Sequence, residues 1–226
     1  MLILHEQMQP VAVQLAAAIQ YVFKIPSTLH EVDLEGLLDV VPALNGHNVG
    51  YWDGNLSAYG VPQDKATLVL TERDLLHDER PDAWVFGVST KVGPPRSIVS
   101  TSRLKGVDSR PRDRVEVALE TYFNRVQAIG VHEICHHTIK KREHFKSTVW
   151  VDAKSGVRDN LGPHCPDNSC VMYQYGDIVT PPEEGYLLVG DEPRYDTGLD
   201  EVIARLGQDW LCNLCRSSAE VSESFR

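Results

Sequence analysis

Apolar residues recur every three to four positions across residues 10–24, with Val11, Leu15, Ala18, Ile19 and Val22 on one face, which predicts an amphipathic helix. Residues 1–5 before it read as a short strand. Residues 31–44 keep a similar apolar rhythm and predict a second helix, whereas the Gly- and Asn-rich LNGHNVGYWDGNLSAYG that follows predicts loop. Three short β-rich runs, 66–70, 84–88 and 98–102, are bounded by turn residues and predict strands. The strongest helical pattern spans 113–137, where Val115, Leu119, Tyr122, Phe123, Val126 and Ile129 repeat at helical spacing and lead into VHEICHHTIKKREHF. Beyond residue 146, STVWVDAKSGVRDN predicts two strands around Lys154-Ser155-Gly156. TPPEEGYLLVGDEPRYDTG predicts mostly loop, and 199–211 a last helix capped by Asp196 or Thr197. No repeat or low-complexity tract interrupts this order. The pattern predicts one α/β domain with a mixed sheet.

Composition narrows the function classes. The 226 residues suffice for one large domain, and 22 Lys+Arg against 32 Asp+Glu give a net charge of −10, which argues against a broad nucleic-acid surface. No apolar run approaches the ~20 residues of a membrane helix. The apolar N-terminal stretch lacks a basic leading region, its first lysine being Lys24, and Glu6, Gln7, Gln14 and Gln20 interrupt it. These features predict a cytoplasmic protein. Five cysteines in such a chain point to metal or free thiols rather than disulfides. Four are paired by spacing: Cys165 with Cys170, and Cys212 with Cys215. Cys135 is the odd one and reads as apolar packing.

The chemistry centres on His132-Glu133-Ile134-Cys135-His136. The HExxH spacing sets two imidazoles one helical turn apart and places a carboxylate beside them. Catalytic zinc requires neutral imidazoles, an open position for water, and a base for that water's proton. Two histidines on a surface helix can also meet this spacing by chance, so a third ligand decides the matter. Three histidines are candidates. His137 faces roughly 100° away around the helix, and His144 lies about two turns further along if the helix continues. His164 follows the turn-like Leu161-Gly162-Pro163, from which a loop can return to the helix.

His164 stands in GPHCPDNSCVM, and His-Cys-x4-Cys-x-Met followed by Cys-x2-Cys resembles the archaemetzincins, metzincin-like zinc proteases. The resemblance implies a single metzincin-like domain built of a mixed sheet, an active-site helix and a zinc-stapled C-terminal lobe. It implies His132, His136 and His164 as catalytic zinc ligands, Glu133 as general base and acid, and Met172 as the Met-turn residue. Cys165, Cys170, Cys212 and Cys215 are implied as a structural zinc site, giving two zinc ions per chain. The likeness covers roughly residues 66–215, including LVLTERDLLHDERPDAWVFGVSTKVGPPRSIVSTSRL.

The family pattern runs HExxHxxGxxHC without interruption. Here Ile139 and Arg142 stand at the Gly and third-His positions, and 137–163 separates the two halves of the site. That segment reads as an insertion, a helix extension plus a hairpin, between an N-terminal subdomain (1–136) and the C-terminal lobe (164–226). The implied substrate is a peptide or protein, added as an extended strand along an edge strand at 96–102. The competing class is a non-catalytic zinc-stabilised binding protein with a closed or vestigial site, in which His144 competes with His164 or fills the water position. A zinc hydrolase of non-peptide amides would share the same residues.

Overall fold

The computed structural model describes residues 1–225 except 38, 42–45, 49–51, 77–83, 91–92, 108–115, 176, 179–183, 196 and 207–208. The chain opens with β1 (Leu2–His5), α1 (Gln9–Phe23) and β2 (Thr28–Glu31), and the two strands pair in parallel with Leu2 opposite Thr28. Of the span 31–44 expected as a helix, residues 38 and 42–44 lie outside the described residues, and the described ones are not helical. Leu34 and Leu37 satisfy the apolar spacing within a single turn, closed by Leu37 N–H to the Leu34 carbonyl, and Gly36 at φ 81° breaks any helical continuation. β3 (Asp39–Val41) then pairs with β4 (Gly46–Asn48). The region expected as loop also holds α2 (Trp52–Asn55) and a 3-10 turn, Leu56–Tyr59, ended by Gly60 at φ 73°. Trp52 and Leu56 explain this: both are buried and need a short helical path to reach the core.

Next come β5 (Thr67–Thr71), β6 (Leu75–Leu76), β7 (Trp84–Val85), β8 (Gly87–Ser89) and β9 (Arg96–Ser100); the three predicted runs correspond to β5, to β7 and β8 together, and to β9, while β6 lies outside them. The main sheet has the order β2-β1-β5-β9-β8, parallel except for β8, and a small sheet has the order β3-β4-β6-β7. Both faces of the main sheet are covered. Ile3, Leu68, Leu70 and Val99 face the helices, while Leu4, Val69 and Ile98 join Leu34, Leu37, Trp52 and Leu56 on the other side. Run 96–102 is therefore not the edge. β8 turns back antiparallel along β9 and takes the outer position, with Gly87 opposite Val99.

α3 (Leu119–Thr138) crosses the helical face against α1. A Cβ on Gly130 would stand 2.4 Å from Leu15 Cδ1, so only glycine allows the two helices this approach. Of the predicted span, residues 113–115 lie outside the described residues, and the helix starts at Leu119 after an extended Ala118. Arg125, 1% exposed, fixes its far side: Nε and Nη2 reach Asp200 Oδ1 and Oδ2 at 2.7 and 2.6 Å, and Nη1 donates to the carbonyls of Leu104 and Gly106. Asp200→Ala leaves the guanidinium with carbonyl partners only. Because Asp200 is 37% exposed and water can enter, the expected cost is about 1–3 kcal/mol rather than that of a fully buried pair, read as a lower urea midpoint with unchanged slope.

The expected helix extension is absent, since α3 ends at Thr138, two residues into the insertion. Ile139 is extended at φ −80°, ψ 107°, and bridges Ala219, while Lys140 N–H donates to Ser218 O. Arg142 folds back so that its guanidinium donates to the carbonyls of His136 and Ile139. A cation thus satisfies the helix end where the archaemetzincin pattern has glycine.

The hairpin is present as β10 (Lys146–Asp152) and β11 (Arg158–His164), with Lys146 opposite His164. Residues 180–198 are not all loop: β12 (Gly185–Val189) and β13 (Glu192–Arg194) extend this sheet to the order β11-β10-β12-β13. Leu187 and Val189 alternate inward from β12. The single last helix is instead two short ones, α4 (Leu199–Arg205) and α5 (Asn213–Ser217). α4 is entered at Gly198, whose N–H donates to Glu201 Oε2; Asp196 lies outside the described residues, and Thr197 is not the cap. Among the described residues no helix is long and apolar enough to cross a membrane.

Candidate active site

The second half of α3 carries VHEICHHT into the interior, where His132 and Glu133 are 4% and 6% exposed. Register brings the third histidine back. β11 ends at His164, itself 4% exposed, and the ligand nitrogens of His132, His136 and His164 all lie within 4.8 Å of one another. His132 Nε2 and His136 Nε2 are 3.1 Å apart, close to the ~3.3 Å edge of a tetrahedron whose metal–nitrogen bonds are 2.0–2.1 Å.

Hydrogen bonds fix the ring orientations. His132 Nδ1 is 2.8 Å from the Val171 carbonyl and His164 Nδ1 is 3.3 Å from the Gly162 carbonyl. A carbonyl only accepts, so each Nδ1 carries the proton and each Nε2 presents a lone pair to the cluster. Burial lowers the pKa of all three imidazoles, His164 to about 3, and their mutual repulsion adds to the effect for His136 and His164. Neutral imidazoles converging on one point form a donor set for a cation such as zinc.

The Glu133 carboxylate is not part of that donor set and is held by the sheet edge. Ser89 Oγ donates to Glu133 Oε2 at 2.6 Å, and Ser89 and Ser97 hydroxyls are 2.8 Å apart. Ser97 Oγ in turn is 3.1 Å from His137 Nε2, which also meets the Arg96 carbonyl. Gly87 makes room for the carboxylate, since a Cβ there would be 2.7 Å from Glu133 Oε1. Burial raises the Glu133 pKa to about 7 against the opposing Ser89 hydrogen bond, which suits a group that takes and returns a proton near neutrality. A cation at the three histidines would pull it back down. The Tyr175 ring lies 5.5 Å from His132 and 6.0 Å from Phe86, walling the other side.

The peptide bond after His164 leads directly into a second cluster. Cys165 N–H donates to the Met172 carbonyl, Tyr173 N–H to Cys170 O, and Val171 N–H to Trp210 O, which ties the two cysteine segments together. Cys212 caps α5, its sulfur accepting Cys215 N–H, and lies 3.7 Å from Cys165 Sγ. Cys170 is held low by hydrogen bonds from the Cys165 and Cys215 thiols, while Cys165 and Cys215 are pushed up. Full ionisation of this group awaits a cation. Met172 is fully buried within the same loop, and Cys135 is buried packing with its thiol pushed up by burial.

The structure thus brings together His132, His136 and His164 beside Glu133, and the four cysteines next to them. It takes His144 away from the histidine cluster and sets its Nε2 3.2 Å from Cys215 Sγ. Sequence reasoning missed Ser89, Ser97 and Gly87, since nothing in a short strand signals that its side chains meet a helix 44 residues later. It also missed the Arg142 cap, whose only signal was a cation shortly after the pentad.

Comparison by sequence matches no family model and no curated protein. The fold has clear relatives. A zinc-dependent peptidase from Methanocorpusculum labreanum superposes with TM-score 0.60 at 18% identity, over 96% of this chain and 98% of the other. An archaemetzincin from Archaeoglobus fulgidus, complexed with malonate, gives 0.56 at 20% identity over 96% and 99%. An archaemetzincin from Methanopyrus kandleri gives 0.54 at 17% identity over 96% and 91%. The chain shares the archaemetzincin fold of these structures, and its β10–β11 hairpin stands between His136 and His164.

Proposed function

We propose that this protein is a zinc-dependent peptidase with one catalytic and one structural zinc. The observation that carries the reading is the convergence of three neutral imidazoles, two of them buried, beside a buried carboxylate of raised pKa. His132, His136 and His164 would hold the catalytic zinc, which when bound supplies an acidified water and polarises the scissile carbonyl. Glu133 accepts the proton of the attacking water and passes it to the leaving amine. Ser89 keeps that carboxylate anchored between turnovers. The second cluster holds the structural ion and pins the loop that begins at His164.

The substrate is a peptide in extended form, laid along β8 rather than along 96–102. Ser100 N–H donates to Phe86 O and Thr90 N–H to Arg96 O, so the backbone groups of Phe86 and Thr90 face β9. Those of Gly87 and Ser89 alternate with them and point to the free side. An added strand hydrogen-bonds there, and its scissile bond runs past Glu133.

The test is hydrolysis of a diverse peptide library by zinc-loaded protein, read by mass spectrometry. Cleavage is expected, lost on chelation and restored by zinc. A zinc-loaded protein that cleaves none of the library is the result expected of a binding module.

A further inference from the structure

We propose that His144 is a ligand of the second metal, completing a site of three thiolates and one imidazole with Cys165, Cys212 and Cys215. The proposal rests on the reading of the cysteine cluster as a metal site. It departs from the four-cysteine set implied by the sequence.

Geometry selects these four. The donor atoms of His144, Cys165, Cys212 and Cys215 all lie within 4.8 Å of one another, and Cys170 is not in that set. Cys165 and Cys212 sulfurs at 3.7 Å match the ~3.7 Å edge of a tetrahedron with 2.3 Å zinc–sulfur bonds. His144 Nε2 at 3.2 Å from Cys215 Sγ is near the ~3.6 Å expected for a mixed nitrogen–sulfur edge.

The position of His144 is built, not incidental. The bridge between Ile139 and Ala219 and the bond from Lys140 to Ser218 tie the start of the insertion to the residues just after Cys215. Phe145 N–H donates to Arg142 O, and the Phe145 ring is 9% exposed and meets the His144 ring edge-on at 4.8 Å. Together these hold the imidazole over the sulfurs.

Charge points the same way. Zinc with four thiolates carries a net charge of about −2, and with three thiolates and a neutral imidazole about −1, which is less costly in a partly buried place. The insertion thereby supplies His144 to the second metal site, while the register of its hairpin sets the place of His164, the residue that follows it.

Cobalt(II) tests this without reference to hydrolysis, because the near-ultraviolet charge-transfer band counts thiolates and the three-histidine centre contributes nothing to it. In the cobalt-loaded full chain, Cys170→Ser is expected to keep the whole band. His144→Ala is expected either to weaken cobalt retention at this site or to raise the band by about one third, as Cys170 enters and three thiolates become four. A band reduced by about a quarter in Cys170→Ser, with His144→Ala silent, overturns the proposal in favour of four cysteines. Absence of the band in every form, wild type included, overturns the underlying metal-site reading instead. Far-ultraviolet circular dichroism separates misfolding from ligand loss in each variant.

Discussion

Glu133→Gln is expected to lower peptide hydrolysis by about 10²–10⁴-fold while both metals stay bound, the range for loss of a general base. Several features make this substitution informative. Glu133 is not in the three-imidazole donor set, and its carboxylate accepts from Ser89. Glutamine has the same shape, fits the space that Gly87 leaves, and its carbonyl still accepts from Ser89. What it removes is the ability to take a proton. Burial has raised the carboxyl to about 7, and a bound cation lowers it again, so the carboxylate is the form present at neutral pH. The measurement is kcat and KM alongside metal content. The loss is expected in kcat; a variant that retains full turnover removes Glu133 from the mechanism.

His164→Ala is expected to reduce zinc from about two to about one per chain and to abolish hydrolysis, because two imidazoles alone hold a catalytic ion poorly. The fold should survive. His164 closes a strand whose register is set by the whole β10–β11 ladder, and the adjacent Cys165 remains tied to Met172 by its backbone. The thermal midpoint of the zinc-loaded protein should fall, since an ion that binds only the folded state stabilises it by mass action. Elemental analysis and calorimetry read the two effects separately. Undiminished zinc with full activity would return the third-ligand question to the remaining histidines.

Much of this site was legible because local spacing encodes it. HExxH on a periodic helix and the pairing of His164 with Cys165 need no tertiary information, and the resemblance rested on both. The α1 and α3 stripes were legible for the same reason. The rest depends on contacts between distant segments. Leu34 and Leu37 mimic a helical repeat while serving a turn, and β12 was hidden by the charged and proline-rich residues around Tyr186–Val189. The end of α3 at Thr138 is decided by Ser218, Ala219 and the Arg142 guanidinium, none of which a helix propensity can register. The edge position of β8 follows from a turn whose direction the sequence leaves open. Likewise, the place of His144 beside Cys215 cannot be read from distance along a helix that stops short, which says nothing about where the chain goes next.

The pairing of Lys146 with His164 has an evolutionary reading. In an uninterrupted motif, the count of residues between ligands must be conserved, because each insertion shifts the third histidine. Here a strand register stores that position, and the exposed tip at residues 153–158 lies at the far end of the hairpin. The tip can therefore gain or lose residues in descendant sequences without moving a ligand, so ligand spacing is free to drift while ligand geometry is inherited.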